Sequence, residues 1–336
     1  MSNYTTPVNE HPFAPFVRAL GKGPNLSRPL TRDEARQAMG MIFDGTVEPV
    51  QLGAFLCLLR VKTELPEEIA GMAEACKATY TVSPDDLKTD VDWAAWAGKS
   101  RQLPLFLLAA LALGASGIRI FMHGAEEHTQ GRVYTSHALA ALGLSACKTS
   151  AEAVQSLDRR GFAYMKLDDL SPPMQKVMDL KRLLGLRSPL HTVGRLANPS
   201  GSPFAVTAVT HPPYLAVHQE ASRLLGQTRM ATFKGDGGEV ERRPEKSCDV
   251  LYLDNGTAGT EDWPAMINGV RVAQEALDLT QLPVLWSGDE IEEAALATII
   301  GTMAIVLRYS GRAASIQESL NLATKIWNNR PRDLSS

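Results

Sequence analysis

From about residue 91 to residue 254, short apolar runs alternate with longer stretches of helical periodicity, and this alternation restricts the fold more than any other feature. IRIF (118–121), FAYMKL (162–167), AVTAVT (205–210), RMATFKG (229–235) and DVLYL (249–253) have the length and the β-branched or aromatic content of buried strands. SHALAAL (136–142), SAEAVQSLDRR (150–160), MQKVMDLKRLLG (174–185) and LAVHQEASRLLG (215–226) separate them with helical spacing. Each helical crossover returns the chain to the same end of the sheet, so successive strands run parallel. The expectation is an α/β domain over 91–336 with a mainly parallel central sheet.

The part before it reads as helical. Thr31 and Glu34 form a capping box that opens a helix ending near Asp44-Gly45, a second helix starts at Pro49 with Leu52, Phe55, Leu56 and Leu59 on one face, and a third follows Pro66. Residues 28–90 are therefore expected to form a small helical domain, completed by a helix from the middle of the chain. Residues 1–27 read as an irregular arm. With 336 residues of which 44% are hydrophobic, the chain has material for both cores.

Several classes are disfavoured. The start MSNYTTPVNEH lacks a basic segment followed by an apolar one, which points to a cytoplasmic protein. LPLFLLAALALGASG (103–117) and AALATIIGTMAIVL (294–307) fall short of a clean apolar span of about 18 residues and read as buried helices, with no membrane partner. Cys57, Cys76, Cys147 and Cys248 show no ligand spacing and read as buried thiols, so no metal site is expected from them. The net charge of −3 hides an asymmetry: residues 91–250 carry 19 Lys/Arg against 14 Asp/Glu, the rest 15 against 23. A basic middle can focus an anionic ligand in an acidic chain.

The chemistry-bearing stretch is FMHGAEEHTQGR (121–132), which follows a strand where α/β proteins place ligand loops. His123 reads either as a loop-holding histidine or, with Glu126, as an acid/base pair if the chain is an enzyme; Glu126, Glu127 and His128 otherwise read as a solvated loop. Ala97-Gly98-Lys99-Ser100 lacks the glycine-bearing loop of a nucleotide-binding P-loop. Trp93 and Trp96 beside Lys99 and Arg101 read as packing at a domain junction or as base stacking with phosphate contact, and Lys181, Arg182 and Arg187 form a second basic group that either binds an anion or complements a helix C-terminus. EVERRPEK (239–246) reads as a solvated charged loop.

QLGAFLCLLRVKTELPEEIAG (51–71), MQKVMDLKRLLGLRSPLHTVGRLANP (174–199) and the order of elements between them resemble the anthranilate phosphoribosyltransferase family. The resemblance implies a homodimer with a small helical domain and a larger α/β domain, transferring phosphoribose from phosphoribosyl pyrophosphate with Mg²⁺. The motifs that carry that activity are degenerate here. The family's Gly-Thr-Gly-Gly-Asp loop matches Ala95-Trp96-Ala97-Gly98-Lys99, and its Lys-His-Gly-Asn-Arg motif matches Met122-His123-Gly124-Ala125-Glu126. Its Asn-x-Ser-Thr falls on Leu105 to Leu108, its metal-binding Asp-Glu pair near Gly238-Glu239-Val240, and its anthranilate arginine on Lys181.

The stretch from Trp93 to Gln102 resembles more closely a divergent branch of the family, typified by the YbiB protein. That resemblance implies a noncatalytic homodimer binding single- or double-stranded DNA or RNA through basic patches, without a cofactor; Lys99, Arg101, Lys176, Lys181, Arg182 and Arg187 are the candidates. The alternative is a transferase or phosphorylase acting on another phosphoribosyl or nucleoside substrate, which would use Mg²⁺.

Overall fold

The computed structural model describes residues 10–269, 273, 276–288 and 291–334. Helices α1 (Ala14–Gly21), α2 (Arg32–Phe43), α3 (Pro49–Lys62) and α4 (Pro66–Cys76) form a helical lobe, followed by the short α5 (Pro84–Leu87). The Thr31 capping box is present: its side chain accepts from Glu34 N, and Glu34 accepts from Thr31 N. Pro49 and Pro66 each sit in the first turn, where a missing N–H costs nothing. Residues 14–21, read as part of an irregular arm, are helical instead; Phe13 and Leu20 are buried there and pull the segment onto α3.

The α/β lobe holds β1 (Val91–Ala94), α6 (Leu105–Ala115), β2 (Ile120–Gly124), α7 (Thr135–Ala141), α8 (Ser150–Arg160) and β3 (Phe162–Lys166). The chain then runs through α9 (Leu167–Leu170), α10 (Pro172–Asp179), α11 (Lys181–Leu184), α12 (Leu190–Leu196), β4 (Phe204–Val209), α13 (Tyr214–Leu224) and β5 (Arg229–Lys234). It ends with β6 (Cys248–Asp254), β7 (Thr257–Trp263), α14 (Gln281–Ser287), α15 (Glu293–Tyr309) and α16 (Ile316–Asn328). The sheet order is β3-β2-β1-β4-β5-β6-β7, parallel through β5 and antiparallel at β6 and β7. Asn255 and Gly256, both at positive φ, turn the β6–β7 hairpin.

Two cores result. One lies around α6 and α15, whose apolar runs are buried rather than membrane-spanning; no helix among the described residues is long and apolar enough to cross a membrane. The other joins α2, α3 and α4 to Met174, Val177 and Met178 of α10 and to Leu190, Val193 and Leu196 of α12. Middle-chain helices therefore complete the helical lobe. Trp96, which follows β1, is buried in this second core, so a loop of the sheet is anchored in the helical lobe.

Candidate anion-binding site

The strand order reverses direction between β1 and β4, which run to opposite sides of the sheet in sequence, and ligands in open α/β sheets bind at such a point beyond the carboxyl ends of the strands. A cavity of about 350 Å³ opens there, reached by Trp96 and Ala97 after β1, His128 and Arg132 after β2, and Ala208 to His211 around the end of β4. Arg187, His191 and Arg195 close one wall, and Arg60 and Glu64 of the helical lobe face it. A second cavity of about 360 Å³ shares His128 and takes in Lys181 and Arg182 with Glu126, Glu127, Lys166 and Asp168.

The first cavity is strongly cationic. Among the described residues, Arg60, Arg132, Arg187 and Arg195 form no ion pair. Arg132 donates instead to the carbonyls of Ala97 (2.8 Å) and Gly98 (3.1 Å), and Arg195 to those of Ala208 (3.1 Å) and Gly238 (3.0 Å). Partial desolvation in the cavity wall and the neighbouring Arg132 and Arg60 lower the pKa of Arg187, which stays open to solvent, and burial lowers that of Arg195 to about 10 against the pull of Glu239. His128 and His191 pack edge to face, 5.1 Å apart. Burial and then the nearby cations bring His128 to about 4; burial, His128 and Arg187 bring His191 to about 3. A wall of like charge with neutral imidazoles favours an anion.

The loop that the resemblance aligns with a pyrophosphate-binding loop is arranged differently. The backbone N–H groups of Ala97 and Gly98 donate to Oε1 of Glu239, at 2.7 Å for Ala97, and Glu239 is buried. Lys99 is 1% exposed and is held between Asp236 and Glu241, with Nζ 2.6 Å from Glu241 Oε1. Glu241 Oε2 accepts from Phe106 N (2.9 Å) in the first turn of α6. The amides of this loop and one at the start of α6 are therefore satisfied by the protein's own carboxylates. Burial raises the pKa of Glu239, opposed by Arg195 and the two amides.

Several sequence expectations are corrected at this point. Trp93 (0% exposed) and Trp96 (1%) are core residues, in line with the packing reading and not stacking platforms, and Lys99 cannot reach a nucleic acid because two carboxylates bury it. His123 is 1% exposed: Trp96 Nε1 donates to its Nδ1 (3.3 Å) and its Nε2 faces Asp92 Oδ1 (2.9 Å), which leaves no ring nitrogen for a substrate. Glu126 is not solvated and free: it accepts from Ser136 N (2.8 Å) and Tyr164 OH (2.7 Å), fixing the loop to the start of α7. EVERRPEK is not a solvated loop, since Glu239, Glu241 and Arg242 are buried.

The other predicted positions divide. Met122, Gly124 and Ala125 are buried, with no room at Gly124 for a side chain because a Cβ would lie 1.7 Å from Ala95 O; Ala95 is buried as well. Lys181 donates to His128 O, and Arg182 is exposed at the second cavity. Arg187 is exposed at the first cavity, while Lys176 and Arg101 are exposed but line neither. Arg60, Arg132, His191 and Arg195 were missed: each is an isolated cation or imidazole in the sequence, and only the fold brings them together.

Residues 14–79 match the helical bundle domain of a glycosyl transferase family, and residues 101–329 match the a/b domain of that family. The chain is 29% identical over 319 residues to an anthranilate phosphoribosyltransferase of Methylocella silvestris, covering 92% of this chain and 89% of that protein. It is 27% identical over 267 residues to the uncharacterized protein YbiB of Escherichia coli, covering 75% and 82%. Its fold matches anthranilate phosphoribosyltransferase of Thermus thermophilus with a TM-score of 0.77 at 22% identity, covering 93% and 94% of the two chains. It matches the Saccharomyces cerevisiae enzyme in complex with PRPP and Mg with a TM-score of 0.75 at 16% identity, covering 95% and 94%. Transferases and YbiB are similar to this chain at comparable levels, so the closer resemblance expected to the YbiB branch is not singled out, and the chain belongs to this glycosyl transferase family with its small helical domain and larger α/β domain.

Proposed function

We propose that this chain binds DNA or RNA chiefly through phosphates, without transferring phosphoribose from a pyrophosphate donor. The observation that carries the proposal is the strip of cations without carboxylate partners among the described residues. It runs from Arg182 and Lys181, in a cavity that also holds Glu126, Glu127, Asp168 and Asp179, past His128 to Arg187, Arg132 and Arg60, along two cavities that share His128. Single strands suit such a track because their bases can splay away while phosphates follow the cations. Leu183 and Leu186, exposed between Arg182 and Arg187, offer apolar contact to unstacked bases. A homodimer belongs to the same proposal, since two copies of the strip would add affinity by bivalent contact.

A second reading, an enzyme acting on a phosphoribosyl or nucleoside substrate other than anthranilate, is favoured by the cavity's place at the strand switch point and by the relatives named above. It meets two obstacles. The amides suited to a pyrophosphate leaving group already hold Glu239. Mg²⁺ does not fit either: Asp236, Glu239 and Glu241 are each engaged by a donor, and no group of three or more potential ligands is placed to hold a metal among the described residues.

The test is binding of a fluorescent single-stranded oligonucleotide across a salt series. Five contacting cations imply a log–log slope of about −3.5, at about −0.7 per phosphate neutralised. The Lys181→Glu, Arg182→Glu double variant should lower that slope by at least about 1.4 in magnitude while the assembly stays intact. Absence of binding at about 50 mM salt would overturn the nucleic-acid reading and leave the enzymatic one, to be pursued with phosphorylated nucleosides.

A further inference from the structure

Glu64 is the carboxylate that the cationic cavity does not explain. It lines the same cavity as Arg60, Arg132, Arg187 and Arg195, yet forms no ion pair among the described residues, is 5% exposed, and its Oε2 is buried without a hydrogen-bond partner. Burial raises its pKa, opposed in part by a hydrogen bond from its own backbone N–H and then by Arg60 and Lys62. Buried acceptors in folded proteins are nearly always satisfied, so an unpartnered one on a cavity wall marks a place where a donor is missing.

The backbone beside it is also unusual. Thr63 has φ 65°, a left-handed value that a β-branched residue adopts only under constraint. The constraint is visible: Lys62 pairs with buried Glu68 at 2.6 Å, and Glu68 also accepts from Leu65 N (2.9 Å) and Leu30 N (2.9 Å). This clamp turns the chain between α3 and α4 so that Glu64 faces the α/β lobe.

We propose that Glu64 reads the hydrogen-bond-donating edge of a nucleobase whose phosphate lies on the arginines of the same cavity. This rests on the anion-binding reading of the cleft and adds to it a ligand class, a nucleotide with N–H donors on its base. Guanine fits best, because its N1–H and N2–H groups lie side by side and match a carboxylate's two oxygens. The volume of about 350 Å³ falls in the range of small-molecule sites and takes one such nucleotide.

The experiment compares calorimetric binding of guanosine monophosphate and ribose 5-phosphate to the full chain, in the unaltered protein, in Glu64→Gln and in Arg187→Gln. The expected result is a preference of about tenfold for guanosine monophosphate, the size of one charge-assisted hydrogen bond, which falls below about twofold in Glu64→Gln while ribose 5-phosphate affinity is not reduced, since the variant only removes a negative charge beside the arginines. Equal affinity for the two ligands in the unaltered protein, or a preference that survives Glu64→Gln, overturns the role of Glu64. If Arg187→Gln weakens neither ligand, the anion-binding reading fails while the base preference stands or falls on its own ratio. If neither ligand binds at millimolar concentration, both are overturned.

Discussion

Replacing Glu239 by alanine exposes how much the protein depends on supplying its own anion. The substitution leaves the N–H groups of Ala97 and Gly98 without their carboxylate acceptor in a buried site. A buried donor left unsatisfied costs about 1–3 kcal/mol, so two give about 2–6 kcal/mol, and relief of the buried charge of Glu239 lowers the net loss to about 2–4 kcal/mol. At about 2–4 °C per kcal/mol for a cooperative unit of this size, Tm should fall by about 5–15 °C. The vacated amides, with Arg195 beside them, then form an anion site open to solvent ions. Sulfate at about 100 times its Kd would restore about 2.7 kcal/mol. Thermal unfolding in a sulfate series is the assay, with Glu239→Gln, which keeps one acceptor oxygen, expected between the two. An alanine variant as stable as the unaltered protein, or an equal sulfate shift in both, would refute the claim that Glu239 fills a phosphate-like site.

Three further outcomes are expected. His128, His191 and His218 titrate in the folded state near 4, 3 and 3, below about 6.5 when unfolded, so the stability they contribute is complete above pH 6.5 and drains away as pH falls towards 4 and 3; Tm measured from pH 7 to 5 should decline, and a flat profile would contradict their burial as neutral rings. Gly194→Ala places a Cβ 2.0 Å from the Trp96 ring, so α12 must shift with His191 and Arg195; the variant should lose about 1–3 kcal/mol in denaturant unfolding and most of its ligand affinity together. His123→Ala removes hydrogen bonds to Asp92 and Trp96 and should lower stability by about 2–4 kcal/mol while leaving the affinity of the folded protein within about twofold, measured by oligonucleotide titration.

The sequence made five strands visible because each is an apolar run bounded by turn residues. β1 escaped notice: it is four residues long, and Asp92 interrupts its apolar pattern. In the fold Asp92 is accommodated by His123 and by the Ser200 hydroxyl at 2.7 Å, partners 31 and 108 residues away. β7 was missed because TAGTEDW, paired on one side only, has no apolar alternation to display. The misplacement of Lys99 has the same origin, since its acids lie 137 and 142 positions downstream. The loss of the phosphate motifs was legible residue by residue. That the loop amides are held by Glu239 and the start of α6 by Glu241 was not, because a run of charges in sequence gives no sign that Glu239, Glu241 and Arg242 are buried.

Trp96 belongs to a loop of the sheet but is packed in the core of the helical lobe, against Gly194 of α12. Swinging the lobes apart would drag an indole out of a close-packed interior, so the cleft is pinned at its inner end. Ligand exchange should then proceed through a standing aperture at the rim rather than through a hinge. In kinetic terms, association would be set by encounter with the Arg60 and Arg187 rim and would respond steeply to ionic strength. Solvent viscosity and temperature would act on it as they act on diffusion, without the larger activation enthalpy that a domain-opening step imposes.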